Sequence, residues 1–371
     1  MIVVVGAGLA GLAAAARLAR AGHEVVVCDN APVPGTGIGV ATEPGGTVLT
    51  LPAAWRDLFR KTGRSLDAEL GRAGLELVPA PPRSFTLSDG SALALPTDRG
   101  AQWAVLAPRF GQDTAAAWRD LLDELDGTWQ VLRRLGLEAE FDGRLTAADR
   151  AVLAPRTSIA RLAGRVPPLA DLVLEVAARL GQDPARLPGW HATRLSVERV
   201  FGRWQLVDTR GVPQPAAALV GLLVERLGAR GAEVRSGVEV LSIRVDPHGG
   251  HRLTTTAGDL VAETVVSAVD PFTHADLTRE RPDLRTAQRL QRAPGGGPLW
   301  TSWRTLLDLP RLQPAKPGVI VASAWSPGGT DAWAQLLTGA LAAYRVHAEL
   351  TGEDMRPTNK EYRPGPLPRR R

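Results

Sequence analysis

The sequence predicts an α/β protein in which a doubly wound domain, assembled from discontinuous segments, is interrupted by an inserted α+β domain. Residues 2–5, IVVV, form the short apolar run that is typical of a parallel strand buried on both faces. A glycine-rich turn, an Ala/Leu-rich helix over Leu12–Ala21 and a second apolar run at residues 24–28 follow. Similar runs return at residues 264–269 and 318–324, so we expect late parts of the chain to complete the same sheet.

Between the early and late strands the pattern changes to helices and hairpins. Ala53–Leu77 predicts a helix that is broken at Gly63, and Arg83–Leu95 predicts a hairpin that turns at an Asp-Gly pair. A strong amphipathic helix is predicted over Gly111–Leu137. Residues 138–190 predict shorter helical pieces separated by prolines.

The later segments alternate between helix and strand. Pro215–Gly231 predicts an amphipathic helix, and Ala232–Val245 predicts a strand that a hairpin continues through Thr256. The sequence SPGG at residues 326–329 then opens a long final helix over Asp331–Leu350.

Composition excludes several classes of protein. Cys28 is the single cysteine, so no intrachain disulfide can form and a reducing compartment is expected. The six histidines are scattered and predict no metal site. The net charge of +5 is spread over basic residues interleaved with acidic ones, which favours solvated faces over a nucleic-acid surface.

No long apolar stretch predicts a membrane span, so the expected location is cytoplasmic. The basic tail RPGPLPRRR at residues 363–371 leaves open a peripheral contact with a membrane.

The chemistry-bearing motif is the turn after the first strand, Gly6-Ala-Gly-Leu-Ala-Gly11. In the G-x-G-x-x-G pattern Gly6 permits the tight turn, Gly8 lets the backbone approach a pyrophosphate, and Gly11 lets helix and strand pack closely. Leu9 and Ala10 complete the loop where the helix presents free N–H groups to phosphate. This segment therefore predicts a diphosphate site.

Asp29 closes the second strand 23 residues after Gly6, where its carboxylate can accept hydrogen bonds from a ribose diol. Strand, glycine turn, helix, strand and acid together predict a Rossmann-like site for an adenine dinucleotide. An acid at this position favours an unphosphorylated ribose, but the pattern alone does not choose between NAD and FAD.

A second segment favours FAD. The stretch Ala232–Ile243, AEVRSGVEVLSI, followed by a hairpin and TVVSAVD, resembles the way two-domain flavoproteins return to complete their cofactor site. In that arrangement the valine of the V-x-x-I pair, here Val240 with Ile243, contacts adenine through its backbone.

The chain resembles the phytoene desaturase group of flavin-dependent oxidoreductases, which are relatives of the amine oxidases. The matching stretches are VVVGAGLAGLAAAARLARAGHEVVV at the start, GGTVLTLPAAWRDLFRKTG at residues 45–63, GVPQPAAALVGLLVERLGARGAEVRSGVEVLSI at 211–243, VVSAVDP at 265–271 and SPGGTDAWAQLLTGALAAYRVHAELTGED at 326–354.

The resemblance implies FAD as cofactor and a small apolar substrate, carotenoid- or isoprenoid-like, that is desaturated or oxidised by hydride transfer to flavin N5. It places the segment Glu43–Thr50, which includes Gly45, near the isoalloxazine. It also places Gly328 and Gly329, before the final helix, near the flavin ring. The family relies on flavin and positioning, so no catalytic side chain is predicted.

Two departures from the family pattern keep alternatives open. Gly37 stands where the family has an arginine on the pyrophosphate, and Ala322-Ser323 replace a Gly-Asp or Gly-Asn pair. A degenerate, non-catalytic nucleotide-binding relative of the same fold is therefore the alternative function. An NAD(P)-dependent dehydrogenase is a third possibility: Asp29 favours an unphosphorylated ribose, and the V-x-x-I segment favours FAD over NAD.

The expected domain division follows the resemblance. Residues 1–80, 210–275 and 316–352 form the FAD-binding domain, residues 81–209 and 276–315 form the substrate domain, and residues 353–371 form the basic tail.

Other reactive side chains predict structural roles. His191 and His274 have no neighbouring carboxylate or nucleophile in the sequence, and Ser158 and Ser196 lack a G-x-S-x-G setting. Among the ten tryptophans, Trp325 next to the SPGG turn is the best candidate for lining a substrate tunnel.

Overall fold

The computed structural model of the chain describes residues 1–35, 46–280, 284–291 and 317–356. The strands are β1 Ile2–Val5, β2 Val25–Asp29, β3 Val48–Thr50, β4 Leu75–Pro79, β5 Arg83–Thr86, β6 Ala92–Leu95, β7 Arg203–Asp208, β8 Pro213–Gln214, β9 Glu233–Ser236, β10 Val240–Val245, β11 His251–Thr255, β12 Gly258–Ala262, β13 Thr264–Ser267 and β14 Val319–Val321.

The helices are α1 Leu9–Arg20, α2 Ala53–Thr62, α3 Leu66–Arg72, α4 Arg99–Phe110, α5 Gln112–Arg134, α6 Ala147–Leu153, α7 Ile159–Ala163, α8 Ala170–Arg179, α9 Thr193–Phe201, α10 Ala218–Ala229, α11 Pro271–Thr278, α12 Leu284–Gln291 and the final helix α13 Ala332–Thr351, with short 3₁₀ helices at Pro167–Leu169 and Gly189–Ala192. None of these described helices is both long and apolar enough to cross a membrane.

A five-stranded parallel sheet organises the chain in the order β14-β13-β1-β2-β9. The chain enters at the centre with β1, moves outwards through β2, and returns on the other side of β1 with β13 and β14. This order confirms the doubly wound α/β prediction, including its completion by late parts of the chain.

Both faces of the parallel sheet are covered, which explains why its strands are apolar at every position. Val4 and Val27 pack with α1 and the final helix in one hydrophobic core. The alternate residues Val5 and Cys28 pack in a second core against the antiparallel sheet β10-β11-β12.

The predicted strand over residues 232–245 is wrong as a single element. The structure divides it into β9, which joins the parallel sheet, and β10, which joins the antiparallel one. The break falls at Gly237, whose φ of +69° turns the chain, and the N–H of Val238 then donates to the carbonyl oxygen of Asp29 at 2.9 Å.

The inserted part forms its own core, built from the β5–β6 hairpin and the helices α4, α5, α7 and α8. Helix α5 belongs to two cores, because Leu121 and Leu125 pack here while Trp129 and Leu132 pack with the parallel sheet. The predicted hairpin and the predicted long helix are confirmed.

The predicted helix over Ala53–Leu77 ends too late. Helix α3 stops at Arg72, Gly74 turns the chain with a φ of +70°, and the sequence from Leu75 onwards forms β4, paired antiparallel with β7. Strand pairing with a segment more than 120 residues away overrides the helical pattern there. The first helix begins earlier than predicted, at Leu9 inside the glycine loop and not at Leu12.

Candidate cofactor and substrate site

The described residues that the sequence predicted for the cofactor gather at the carboxyl-terminal edge of the parallel sheet. The glycine loop follows β1, Asp29 ends β2, Val240 comes shortly after β9, and Gly328 and Gly329 follow β14. This edge is where open α/β sheets bind their ligands. Gly45 and Gly37 lie outside the described residues.

The three motif glycines each meet a different constraint. Gly6 has a φ of +98°, which an L side chain rarely adopts. A Cβ on Gly11 would collide with the carbonyl oxygen of Gly6 and lie 2.8 Å from Cβ of Ala268. A Cβ on Gly8 would have its nearest neighbour, the carbonyl oxygen of Ala268, at 3.8 Å, so space remains beside the loop.

The beginning of α1 has no side-chain cap. Its N-cap is Gly8, and the first helical hydrogen bond runs from the N–H of Leu12 to the carbonyl oxygen of Gly8 at 2.9 Å. The N–H groups of Leu9, Ala10 and Gly11 precede that bond, while the side chains of Leu9 and Ala10 are buried. Leu9 and Ala10 therefore offer backbone donors at the positive end of the helix dipole.

Asp29 lies directly over this loop. Its Oδ2 accepts a hydrogen bond from the N–H of Ala7, and its Oδ1 accepts one from the N–H of Ala31 at 2.8 Å. A carboxylate has about four lone-pair positions, so acceptor capacity remains for a ribose diol. These residues fit the diphosphate and ribose of an adenine dinucleotide.

Val240 lies beside Asp29 in the fold, two residues after the backbone hydrogen bond between Val238 and Asp29. Its side chain is buried in the same core as Val5 and Cys28. The contact of its backbone with adenine stays a prediction of the V-x-x-I resemblance.

The turn after β14 is held by two serines. The N–H of Ser323 donates to Oγ of Ser326 at 3.1 Å, and the N–H of Trp325 donates to Oγ of Ser323 at 3.1 Å. The Ser323 hydroxyl therefore stabilises its own loop at the position where the family has a longer polar side chain. Gly328 and Gly329, which follow these serines, differ in the space around them.

A Cβ on Gly328 would lie 2.7 Å from Oγ1 of Thr338 and 3.0 Å from Cδ2 of Leu137, so Gly328 permits tight packing. Gly329 has a φ of +97°, and nothing lies within 4 Å of an added Cβ. Of the two, Gly329 faces open space before the final helix.

A small recess of about 50 Å³ lies between this turn and the inserted part, and we call it the tryptophan recess. Trp129 and Trp333 meet in its wall edge to face, with ring centroids 5.1 Å apart. Its main apolar lining residues are Trp129, Leu132, Leu137, Trp190, Val197 and Trp333.

Trp325, the residue that the sequence favoured for such a lining, is not among them and packs partly buried against the main core. The lining residues were missed because no local pattern links positions so far apart in the chain.

One end of the tryptophan recess is lined by charged side chains that are paired with each other. Arg194 donates to Oδ2 of Asp331 at 2.9 Å and to Nδ1 of His191 at 3.0 Å. Asp331 is the N-cap residue of the final helix, and its side chain makes no capping hydrogen bond. The inserted part is thus tied by an ion pair to the beginning of the final helix.

The remaining candidate side chains have structural partners. Nδ1 of His274 lies 2.9 Å from Oγ of Ser267, Ser196 donates to Asp126, and Ser158 caps α7. Within the described ranges no group of His, Cys, Asp and Glu side chains could hold a metal ion.

The sheet order and the glycine loop define a dinucleotide-binding α/β protein. Residues 1–297 match the family described as DAO, FAD dependent oxidoreductase, and the chain belongs to this family. FAD is the cofactor of the family, which confirms the choice of FAD over NAD(P).

Relatives by sequence include carotenoid-pathway enzymes. Hydroxyneurosporene desaturase of Cereibacter sphaeroides is 32% identical over 292 residues, covering 73% of this chain and 56% of the relative. Phytoene dehydrogenase of Streptomyces griseus is 36% identical over 173 residues, covering 44% of this chain and 33% of the relative. The matches thus span between one third and just over half of these relatives' length.

Similar solved structures belong to amine oxidases and support the fold. Cyclohexylamine oxidase from Brevibacterium oxydans superposes with a TM-score of 0.57 at 14% identity, covering 94% of this chain and 99% of that one. Putrescine oxidase superposes with a TM-score of 0.51 at 18% identity, covering 78% of this chain and 62% of that one.

Proposed function

We propose that the protein is an FAD-dependent oxidoreductase that desaturates or oxidises an apolar, carotenoid- or isoprenoid-like substrate. The observation that carries this proposal is the tryptophan recess, whose apolar walls meet Gly329 before the final helix. Ligand sites of this kind are largely apolar with a few polar groups. The printed activities of the desaturase relatives agree with an apolar substrate.

In this proposal the glycine loop binds the diphosphate through backbone N–H groups. Asp29 accepts from the ribose, the backbone of Val240 contacts adenine, and Gly45 and Gly329 approach the flavin ring. When bound, FAD supplies the acceptor for the hydride that leaves the substrate carbon.

The protein's own contribution is binding and exclusion of water. Trp129, Leu132 and Trp333 hold an apolar chain out of solvent. The uncapped beginning of the final helix offers a positive dipole end to negative charge. The carboxylate of Asp331, which would oppose that effect, is neutralised by Arg194.

The first test is an absorbance spectrum of the purified protein between about 350 and 500 nm, before and after incubation with FAD. We expect a flavin spectrum that survives gel filtration. A protein that stays colourless both before and after incubation with FAD would overturn the proposal and favour the non-catalytic alternative.

The second test asks what reduces the bound cofactor. Under anaerobic conditions we expect phytoene in liposomes to bleach the flavin absorbance, and cyclohexylamine to leave it unchanged. Bleaching by the amine and not by phytoene would keep the oxidoreductase assignment and overturn the apolar substrate.

We also propose that the basic tail contacts a membrane surface peripherally, because an apolar substrate of this type partitions into lipid. Co-sedimentation with anionic liposomes, and its loss after removal of residues 363–371, is the expected result. Equal sedimentation of both forms would contradict the role of the tail.

A further inference from the structure

Two buried tryptophans in the tryptophan recess have indole N–H groups without a hydrogen-bond partner. Trp129 is 5% exposed and Trp190 is 3% exposed, and Nε1 of each has no acceptor within the described part of the chain. Buried polar groups in folded proteins nearly always have a partner, because leaving a donor unpaired and out of water is unfavourable.

Other tryptophans of the same protein do have partners. Trp118 is 2% exposed, and its Nε1 donates to Oε1 of Gln102 at 3.1 Å. Nε1 of Trp204 donates to the carbonyl oxygen of Phe201 at 2.8 Å. The two unpaired indoles instead line one and the same recess. A molecule bound in the recess could supply an acceptor to both.

The lining restricts the chemistry of that ligand. An indole N–H is a donor and never an acceptor, so the ligand has to supply an acceptor atom, which on an apolar chain is most simply the oxygen of a hydroxyl, ether or carbonyl. The neighbouring walls, including Leu132, Leu137 and Val197, require the remainder of the ligand to be apolar.

The charge of the recess argues for a neutral oxygen. Arg194 is the cation in the lining, and it is already paired with Asp331 and in contact with His191. A carboxylate or phosphate entering the recess would have to displace Asp331 or remain without a counter-ion, which is costly in a desolvated site.

We propose that the tryptophan recess binds the oxygen-bearing end of an otherwise apolar molecule, with Trp129 and Trp190 donating to a neutral oxygen. The recess then selects oxygenated chains over pure hydrocarbons. This inference rests on the proposed function in one respect, namely that the bound molecule is the substrate. The binding itself requires no hydride transfer.

The first experiment uses full-length protein loaded with FAD and labelled with ¹⁵N-tryptophan. The indole resonances are assigned from Trp129→Phe and Trp190→Phe. The probes are farnesol and β-farnesene, two isoprenoid chains of which the first carries a hydroxyl. We expect farnesol to move both indole protons downfield in a saturable manner, and β-farnesene to leave them in place.

Two outcomes of this experiment would overturn the inference. In one, farnesol and β-farnesene act alike on the two resonances. In the other, FAD alone moves both resonances downfield and farnesol moves them no further, which means that the cofactor supplies the acceptors.

The second experiment measures affinity by calorimetry. Loss of one neutral hydrogen bond weakens binding by about three- to tenfold. We therefore expect Trp129→Phe and Trp190→Phe each to weaken farnesol binding by that factor more than β-farnesene binding, because both probes lose the same apolar contact and only farnesol loses a hydrogen bond. The matched control Trp118→Phe, which removes a partnered indole outside the recess, leaves both affinities unchanged.

An equal loss of affinity for both probes would show that the tryptophans act only as apolar surface. The two proposals fail separately. A flavin-containing protein that is bleached by phytoene but does not prefer farnesol overturns this inference alone. Oxygen-selective binding by a protein that takes up no FAD overturns the proposed function alone.

Discussion

Gly11 shows how little room the first helix leaves against the sheet. The residue is buried, and any side chain would meet the backbone of Gly6 and the methyl group of Ala268. Ala268 directly follows β13 in the VVSAVDP stretch. A small residue is needed at this position for the same reason that glycine is needed in the loop, because the two segments are in close contact. The packing of one carbon atom thus decides whether the loop keeps its shape.

We expect Gly11→Ala to destabilise the protein by about 2 kcal/mol, because overpacking of a tight contact usually costs about 1–3 kcal/mol. The variant should also retain less FAD, since helix and loop move apart. Urea unfolding followed by circular dichroism, together with the flavin-to-protein absorbance ratio, measures both effects.

The matched control is Gly221→Ala. Gly221 lies inside α10 with nothing within 4 Å of an added Cβ, so alanine should stabilise the helix. The expected gain is about 0.5–1 kcal/mol. A Gly11→Ala variant with the same stability and the same flavin-to-protein absorbance ratio as the unmodified protein would contradict the close-packing argument.

Cys28 gives a second prediction at this scale. The thiol is 1% exposed in β2, and burial raises its pKa, while Arg235 lowers it less strongly. Because the thiolate is the reactive form, we expect negligible reaction with Ellman's reagent in the native protein and one equivalent after denaturation. Rapid reaction under native conditions would mean that β2 opens readily.

At the scale of elements, α1 and the final helix form one packed pair. A Cβ on Gly339 would collide with the carbonyl oxygen of Ala10 and lie 2.9 Å from Cβ of Ala13, so the two helices cross in close contact. The beginnings of both helices follow strands of the parallel sheet, α1 after β1 and the final helix after β14. Their crossing therefore fixes the distance between the glycine loop and Gly329.

The other ends of the same helices meet through two histidines. Nε2 of His23, just after α1, lies 2.9 Å from Nδ1 of His347 in the final helix. The pKa of His23 is lowered, first by burial and then by His347, against a raising effect of Glu263. Glu353 also faces this pair, 3.9 Å from Nε2 of His347.

A lowered pKa means that the folded state binds the His23 proton less tightly than the unfolded state does. Neutral His23 therefore makes its full contribution to the free energy of unfolding above the ordinary histidine pKa of about 6.5. That contribution is lost as the pH falls towards the lower pKa of the folded state. We expect Tm to fall between about pH 7 and pH 5, and His23→Gln to reduce that fall.

Calorimetric scans across this pH range measure the effect. The matched control is His248→Asn, because His248 is exposed. If His23→Gln and His248→Asn change the pH dependence equally, the histidine contact is not its source.

At the scale of the whole molecule, two large hydrophobic cores are joined by helix α5, with the tryptophan recess beside the junction. We propose that these cores correspond to the FAD-binding and substrate domains. The ion pair of Arg194 with Asp331 then connects the substrate domain to the helix that approaches the flavin.

A double-mutant cycle tests that connection. Arg194 and Asp331 are 28% and 22% exposed, so we expect a coupling of about 1 kcal/mol between Arg194→Met and Asp331→Asn in urea unfolding. The control pair is Arg186 with Asp183, which are 89% and 54% exposed and should show almost no coupling. Additive effects at Arg194 and Asp331 would show that the pair does not hold the two parts together.

Sequence alone determined the doubly wound sheet, the glycine loop with Asp29, the β5–β6 hairpin and helix α5. These depend on local signals, because buried parallel strands need continuous apolar runs and the loop needs glycine at fixed spacing. The choice of FAD came from the resemblance to the phytoene desaturase group. The residue roles proposed for Gly45, Val240, Gly328 and Gly329 remain predictions.

Tertiary structure decided what depended on distant partners. Leu75–Pro79 became a strand because β7 was available to pair with it, and residues 232–245 separated because two different sheets accept their halves. Trp129, Trp190 and Trp333 form one recess only after α5, the segment before α9 and the final helix have packed. Their shared surroundings arise from long-range packing, which no local pattern encodes.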